Sequence, residues 1–356
     1  MQSGFVYPPD FRISVLNRSF TLPSNLDELI SFLEEREEAS QLLAFIQAWY
    51  SESDCIKQFT SGSTGKPKKI LLEKGKMLLS AKRTLEYFEL DLHSRFLVCL
   101  SMEYIAGKMQ LIRALVSGGE AVVVFPRVNP LEVVSGHFDF AAMVPLQFKS
   151  SIDEISRIKK LLLGGVSTQT NWNLPHNCQT LVYEGFGMTE SYSHFALRSV
   201  FPTEENVFKA MQGVSLSLLP NGGLSITDRF LELSLETRDR ISLVSKNEFR
   251  FLGRLDWVIN SGGVKIQAEE IESVLSKYIE NSLFVSGFPD EFLGERLVLL
   301  IESSDKSVSY FQSIVDEIAE FKPFHRPKEI RVIPEFIRSK SQKLLRRDTL
   351  KLLDAL

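Results

Sequence analysis

One run of eleven residues constrains this chain more than any other: Phe59-Thr60-Ser61-Gly62-Ser63-Thr64-Gly65-Lys66-Pro67-Lys68-Lys69. It holds four hydroxyl side chains, two glycines and three lysines. Before it, Cys55-Ile56-Lys57-Gln58-Phe59 alternates as a strand does, and Lys69-Ile70-Leu71-Leu72 after it reads as a second strand. Glycine lets successive backbone N–H groups converge, Ser and Thr add donors, and Lys adds charge, so the run suits an oxyanion of high charge. We read it as a loop that grips a triphosphate, with Thr60, Ser61, Gly62, Ser63, Thr64, Gly65, Lys66 and Lys68 as its candidate ligands. A Walker-type P-loop is excluded, because Pro67 follows Gly65-Lys66 and supplies neither a metal-binding hydroxyl nor a backbone donor. The plain alternative is a Gly/Ser linker, against which the three lysines between strand-like runs argue.

Strand and helix patterns alternate around the loop. A capped helix is expected from Ser24, with Asp27 three residues on and Leu26, Leu29, Ile30 and Leu33 at helical spacing. Further helices are expected over 38–50, 74–88 and 106–116, the last ended by Gly118-Gly119. Short apolar runs at 96–100, 121–125, 140–144, 160–163 and 180–183 read as strands. The fold class expected is α/β: a largely parallel sheet covered on both faces, with ligands at strand carboxyl ends. From 213 to 253 the pattern shifts to short strands and turns, an antiparallel subdomain. The rest reads as a small α+β domain, with helices over 268–278 and 308–320 and strands at 283–287, 296–301 and 330–333.

Composition narrows the function. A net charge of −4 with 41 basic residues argues against a nucleic-acid surface. The three cysteines, Cys55, Cys99 and Cys178, have no paired spacing and read as buried thiols of a reducing compartment. None of the five histidines stands at metal-ligand spacing from Cys or Glu, so no zinc site is expected. No apolar stretch approaches a membrane span, and the amino terminus shows no targeting pattern, so the cytoplasm is the expected compartment.

Several segments carry candidate chemistry. In Leu163-Gly164-Gly165-Val166, paired glycines let a flat group approach the backbone, or simply end a strand. In Phe186-Gly187-Met188-Thr189-Glu190, a hydroxyl and an acid after a glycine turn suit a cation that itself bridges phosphates, or a helix cap. Tyr104 precedes a helix whose cations Lys108 and Arg113 would run beside a pocket or stand as surface charges. Thr237-Arg238-Asp239, the run Gly253-Arg254-Leu255-Asp256 through Ser261-Gly262-Gly263 to Glu269-Glu270-Ile271-Glu272, and Ile337-Arg338-Ser339-Lys340-Ser341-Gln342-Lys343-Leu344-Leu345-Arg346 complete the set. The last also reads as a basic tail for RNA or anionic lipid.

Together, in this order from about Cys55 to Arg347, these segments resemble the adenylate-forming superfamily of acyl- and aryl-CoA ligases, luciferase-like enzymes and peptide-synthetase adenylation domains. The resemblance implies ATP, magnesium and coenzyme A as the small molecules handled, with a carboxylic acid as substrate. It implies that residues 60–68 hold ATP, that Gly164 and Gly165 lie against adenine and the acyl group, and that Phe186 and Gly187 pack on adenine. Thr189 would meet phosphate, Glu190 would hold magnesium, and Asp239 and Arg254 would bind ribose or phosphate. Asp256 would be the hinge, Gly262 and Gly263 would line the CoA tunnel, and Lys343, with Lys340 in reserve, would reach the reacting phosphate. Tyr104 stands where histidine usually gates the acyl pocket, and Lys108 is the candidate for a second substrate carboxylate.

The chain departs from the family at Arg238 and Gln342, where glycine is usual, and at Ile337, where proline is usual. The expected division is an AMP-binding domain over 1–253 with a shortened first subdomain, a hinge at 254–256 and a mobile cap over 257–356. The spelling Gly-Arg-Leu-Asp, Ser-Gly-Gly and Ile-Gln-x-Glu-Glu is most similar to the short o-succinylbenzoate–CoA ligases of menaquinone synthesis. An acid ligase of other specificity, a carrier-loading adenylation enzyme and a non-catalytic ATP or AMP sensor stay open, as does a homodimer.

Overall fold

The computed structural model describes residues 10–60, 68–164, 174–175, 178–322, 324–338 and 344–354. It divides into two compact units, Met1–Ser215 with Thr227–Leu235 and Leu216–Ile226 with Glu236–Leu356.

The first unit opens with β1 (Phe11–Val15) and β2 (Arg18–Leu22), then α1 (Leu26–Glu34), α2 (Ser40–Tyr50), β3 (Cys55–Thr60), β4 (Lys68–Glu73) and α3 (Lys74–Phe88). It continues through β5 (Arg95–Val98), α4 (Ile105–Ser117), β6 (Glu120–Val123), β7 (Phe138–Met143), α5 (Pro145–Ser150), β8 (Ile158–Leu163), β9 (Leu181–Met188), β10 (Ser193–Phe201) and β11 (Phe208–Ala210). Its large sheet runs β11-β10-β9-β8-β7-β5-β6-β1-β2. The middle is parallel, from β1–β6 to β8–β9. The flanks, β1–β2, β9–β10 and β10–β11, are antiparallel.

Successive strand residues point to opposite faces, and here both faces are buried. Phe96, Val98, Phe140, Ala142 and Leu162 pack on the side of Met77, Ala81, Met109 and Ile112 from α3 and α4. Leu97, Ala141, Met143, Leu161 and Leu163 pack on the other side with Phe148 and Ile155. The mostly parallel sheet and the helix positions therefore match the sequence reading.

Three features of this unit differ from it. Ser24 does not cap α1: its hydroxyl donates to Asp10, the N-cap is Asn25, and the Asn25 side-chain oxygen is taken by the Thr21 N–H of β2. The strand expected at 180–183 runs on to Met188, because β10, which the sequence did not announce, pairs along its length. Hairpin β1–β2 was likewise not expected, although Phe11, Ile13 and Val15 alternate with Arg12 and Ser14 as the residues of a half-buried strand do. Cys99 and Cys178 are buried thiols, whereas Cys55 is only half-buried.

In the second unit β12 (Val214–Leu218), β13 (Gly223–Asp228), β14 (Leu233–Ser245) and β15 (Glu248–Arg254) are neighbours in that order, the first three beginning or ending in the first unit. Then come β16 (Val258–Ser261), β17 (Val264–Gln267), α6 (Ala268–Leu275), β18 (Leu283–Asp290), β19 (Gly294–Glu302), α7 (Val308–Glu317), β20 (Glu329–Ile333) and α8 (Arg346–Asp354). Their sheet runs β17-β16-β19-β18, with β20 parallel to β19. Alternation again splits β19. Leu297, Leu299 and Ile301 face Ile271, Phe311 and Val315, while Val298 and Leu300 face Phe284, Ile333 and Phe336. Leu350 and Leu353 of α8, which begins at the end of the basic run 337–347, cover that second cluster, so α8 is amphipathic. Among the described residues no helix is long and apolar enough to cross a membrane.

Candidate active site

In the first unit β3 and β4 form a separate antiparallel hairpin whose register ends at Thr60↔Lys68. The run read as a phosphate loop therefore joins strand to strand, unlike a P-loop, which opens a helix. Ser61, Gly62, Ser63, Thr64, Gly65 and Lys66 lie outside the described residues, as do Gly165, Lys340 and Lys343. Lys68 is exposed.

Gln58 precedes the loop on the inward face of β3, between buried Ile56 and the strand's end. Its amide nitrogen donates to the carbonyls of Phe59 (3.0 Å) and Glu103 (2.8 Å). Its side-chain oxygen accepts from Lys108 Nζ. Sequence reasoning passed over Gln58; the available signal was an amide at a core position of an alternating strand.

Tyr104 is the half-buried N-cap of α4, and its carbonyl accepts the Lys108 N–H. Lys108 and Arg113, read as possible surface charges, are both buried, because α4 is the helix that lies across the sheet. Burial lowers the Lys108 ammonium to about 8, with Glu103 partly opposing the shift. Arg113 is pulled down to about 9 by desolvation and stays charged at neutral pH. Arg113 donates to Ser193 Oγ at 2.7 Å, and no carboxylate lies within ion-pairing distance of it among the described residues. Beside it, His194 is held well below the usual imidazole range by burial and by Arg113 and Arg83, so it is neutral.

Phe186 and Gly187 close β9, and Thr189 and Glu190 occupy the turn into β10, where the Tyr192 N–H donates to the Thr189 carbonyl. A Cβ on Gly187 would meet the Ser193 carbonyl at 2.2 Å, so only glycine lets β10 approach. Phe186 packs edge-on against Phe195 and Phe208 at 5.6 and 5.3 Å. The neighbouring acid Glu184 is taken by Arg198 at 2.5 Å. Glu190 has no ion pair or side-chain hydrogen bond among the described residues. No group of three or more His, Cys, Asp or Glu could hold a metal among those residues. One carboxylate suits magnesium that takes its other ligands from phosphate and water, so Glu190 fits a phosphate-borne ion and not an all-protein site. Gly164 ends β8 with open space where a Cβ would stand.

In the second unit the β14–β15 register sets Asp239 opposite Arg254. Arg254 donates to Asp239 Oδ1 at 2.8 Å and to Asp256 Oδ2 at 2.9 Å. Arg238, on the outward face of β14, reaches Asp256 Oδ1 through Nε at 2.6 Å. Asp239, Arg254 and Asp256 are thus brought together, with Arg238 added. Two further residues fix the strand end: Gln267 donates to the Arg254 carbonyl at 2.9 Å, and Glu269 accepts the Arg254 N–H at 3.1 Å. Gly262 and Gly263 turn at φ +58° and +79°, where a side chain would be strained, and the Gly262 N–H donates to the Leu293 carbonyl.

Comparison with known proteins adds four findings. The model of the AMP-binding enzyme family matches residues 24–228. A 2-succinylbenzoate–CoA ligase of Escherichia coli strain K12 is 26% identical over 299 residues, 78% of this chain and 65% of that protein, so the match spans just under two thirds of the relative's length. The crystal structure of an acyl-CoA synthetase (AMP-forming)/AMP-acid ligase II-like protein from Dyadobacter fermentans superposes with a TM-score of 0.55 at 29% identity, covering 91% of this chain and 98% of that one. An o-succinylbenzoate coenzyme A synthetase from Bacillus subtilis in complex with ATP and magnesium superposes with a TM-score of 0.68 at 20% identity, covering 83% of this chain and 69% of that one, which speaks for the fold alone.

Proposed function

The chain belongs to the AMP-binding enzyme family, and from that premise we propose that it is an ATP-dependent carboxylic acid–CoA ligase, most specifically for 2-succinylbenzoate. A carboxylate is a poor acyl donor because oxide would have to leave. Attack of its oxygen on the α-phosphorus of ATP forms the acyl adenylate and releases pyrophosphate, and the thiol of coenzyme A then displaces AMP. Such chemistry depends on positioning and charge neutralisation.

Each residue takes a part in this reading. The hydroxyls, amides and lysines of 60–68 hold the phosphates, with Thr189 as a further donor. Glu190 supplies one carboxylate to magnesium, which neutralises phosphate charge when bound. Gly164, Gly165, Phe186 and Gly187 form the adenine wall, and Asp239 accepts the ribose hydroxyls with Arg254 beside it. Lys343, with Lys340 in reserve, brings an ammonium to the reacting phosphate. Asp256 is the hinge between domains at 1–253 and 257–356, and Gly262 and Gly263 line the thiol's approach.

The observation that carries the substrate assignment is Arg113, a buried guanidinium with no carboxylate partner among the described residues. An unpaired buried charge costs several kcal/mol, on the order of what a bound carboxylate would offset. An aromatic dicarboxylate such as succinylbenzoate has one carboxylate to activate and one to spare, and Lys108 on the same helix offers a second cation. The relatives' names point to the same acid.

Pyrophosphate release across a panel of acids, with and without coenzyme A, tests the reading. Release that depends on 2-succinylbenzoate, and thioester formation that depends on coenzyme A, are expected. Release with a different acid would reassign the substrate; release without use of free coenzyme A would make this a carrier-loading enzyme. No release with any acid, but binding of ATP or AMP, would make it a sensor, the reading that the departures at Arg238 and Gln342 keep open.

A further inference from the structure

In the first unit, buried cations outnumber buried carboxylates at one point between α3, α4 and β10. Arg83 of α3, Arg113 of α4, His194 of β10 and Asp228 are each more than nine-tenths buried. Arg83 donates to Asp228 Oδ2 at 2.5 Å, and Arg113 donates to Ser193 Oγ at 2.7 Å. Ser193 Oγ in turn lies 3.3 Å from His194 Nδ1. Arg113 and Arg83 both stand close enough to His194 to hold its ring below the usual imidazole range, so the three side chains share one locality.

Their donors exceed the acceptors around them. Arg83 Nε and Nη2, Arg113 Nε and His194 Nε2 are buried without a hydrogen-bond partner among the described residues. Because Ser193 Oγ accepts from Arg113, its own proton is free to go to His194 Nδ1, which leaves the proton of the neutral ring on Nε2. All four nitrogens are therefore donors. Asp228 is already engaged: Oδ2 takes Arg83, and Oδ1 takes the N–H groups of Phe230 and Leu231 at 3.1 and 3.2 Å. A water molecule set among these donors would find no acceptor for its own protons, whereas an anion has none to place. The charges agree, since two guanidiniums, one carboxylate and a neutral imidazole leave one positive charge, which a buried site tolerates poorly unless it is paired.

We propose that Arg83, Arg113 and His194 form a buried site for a small monovalent anion, chloride being the simplest, held by Arg83 Nε and Nη2, Arg113 Nε and His194 Nε2. That the spare carboxylate of the acid displaces this ion rests on the ligase reading above; the site itself does not. Chloride then competes with the acid and not with ATP.

The test uses the full chain, with sodium chloride as the probe and sodium isethionate at equal ionic strength as the reference. Chloride should raise the Tm saturably, by about 2 °C or more, because it binds only the folded state. The quadrupolar NMR line of chloride should broaden with the protein present and sharpen when 2-succinylbenzoate is added. Arg113→Met, which removes the guanidinium at similar length, should abolish both effects. His194→Phe, which removes a donor and no charge, should raise the chloride concentration for half-maximal effect by about fivefold or more. In acid-dependent pyrophosphate release, chloride should raise the KM for the acid in proportion to its occupancy and leave the kcat and the KM for ATP unchanged.

No saturable chloride effect in the native chain, or one of equal size in Arg113→Met, overturns the site. Should Arg113→Met not fold, His194→Phe decides: a shifted half-maximal concentration supports the site and an unchanged one overturns it. Chloride binding that leaves the KM for the acid unchanged overturns the displacement. If the native chain activates no acid, the ligase reading fails, and the Tm and the chloride line decide the site by themselves.

Discussion

Arg238 Nε donates to Asp256 Oδ1 at 2.6 Å, so the residue that departs from the family's glycine is bonded to the proposed hinge aspartate. Asp256 is nearly buried, and Arg254 shares it while also holding Asp239. The proposed ribose acceptor and the proposed hinge are thereby linked through one guanidinium, with Arg238 as an outer tie. Replacing Arg238 by glycine removes only the tie. Because Arg238 is exposed, the change in unfolding free energy by urea should stay below about 1 kcal/mol. If the tie slows domain alternation, thioester formation from supplied adenylate should speed by up to about fivefold, with the adenylation rate unchanged. Slower turnover in both steps would show that Arg238 contributes to the site instead.

Glu190 stands in the turn after β9 without a partner among the described residues, whereas Glu184 is taken by Arg198. Glu190→Gln should lower adenylation by about 10²-fold or more, because the magnesium that neutralises transition-state charge would be held less firmly. The magnesium concentration for half-maximal pyrophosphate release should rise. Glu184→Gln should instead act through folding, since it removes the charge of a buried ion pair with Arg198. A magnesium titration of both variants separates the cases.

Lys108 titrates at about 8, below its usual 10.5, because burial disfavours the ammonium. The folded chain gives up this proton at lower pH than the unfolded chain, so the group's cost to folding is fully present below about pH 8 and is relieved as pH rises toward 10.5. Lys108→Met should therefore keep or raise the Tm at neutral pH. The positive charge available to a substrate carboxylate is present below that pKa and lost above it. The KM for a dicarboxylate should rise above pH 8 in the native chain and stay flat in Lys108→Arg; a flat native profile would remove Lys108 from the substrate site.

Glu272 is buried against Arg346, its carboxyl raised by desolvation and partly restored by Arg346 and the Val285 N–H. Arg346 also lies over the rings of Trp257 and Phe284 at 5.2 and 5.6 Å. Glu272→Leu leaves that guanidinium buried and unpaired and should cost about 3–5 kcal/mol in urea unfolding. Replacing both residues, Glu272→Leu with Arg346→Met, should recover most of the loss. Additive losses would contradict the pairing.

The sequence by itself determined the local frame. Alternation placed β3 and β4 around the hydroxyl- and lysine-rich run, helical spacing placed α3 and α4, and the order of short apolar runs announced a parallel sheet buried on both faces. Gly187 and the Gly262-Gly263 pair were legible because a close approach or a positive φ is a demand on one or two residues. Tertiary structure alone decided which charges are buried and what they meet. Lys108 finds Gln58 from 50 residues away, Arg113 finds Ser193 from 80, and Arg83 pairs with Asp228 from 145. The same holds for the tie of Arg238 to Asp256 and for the hydroxyl of Thr349 beneath Ile337. Dihedral preference and periodicity act between near neighbours in the chain and so leave a mark in the string of residues. Ion pairs and buried hydrogen bonds act through space, between side chains whose proximity exists only once the sheet and its helices have packed.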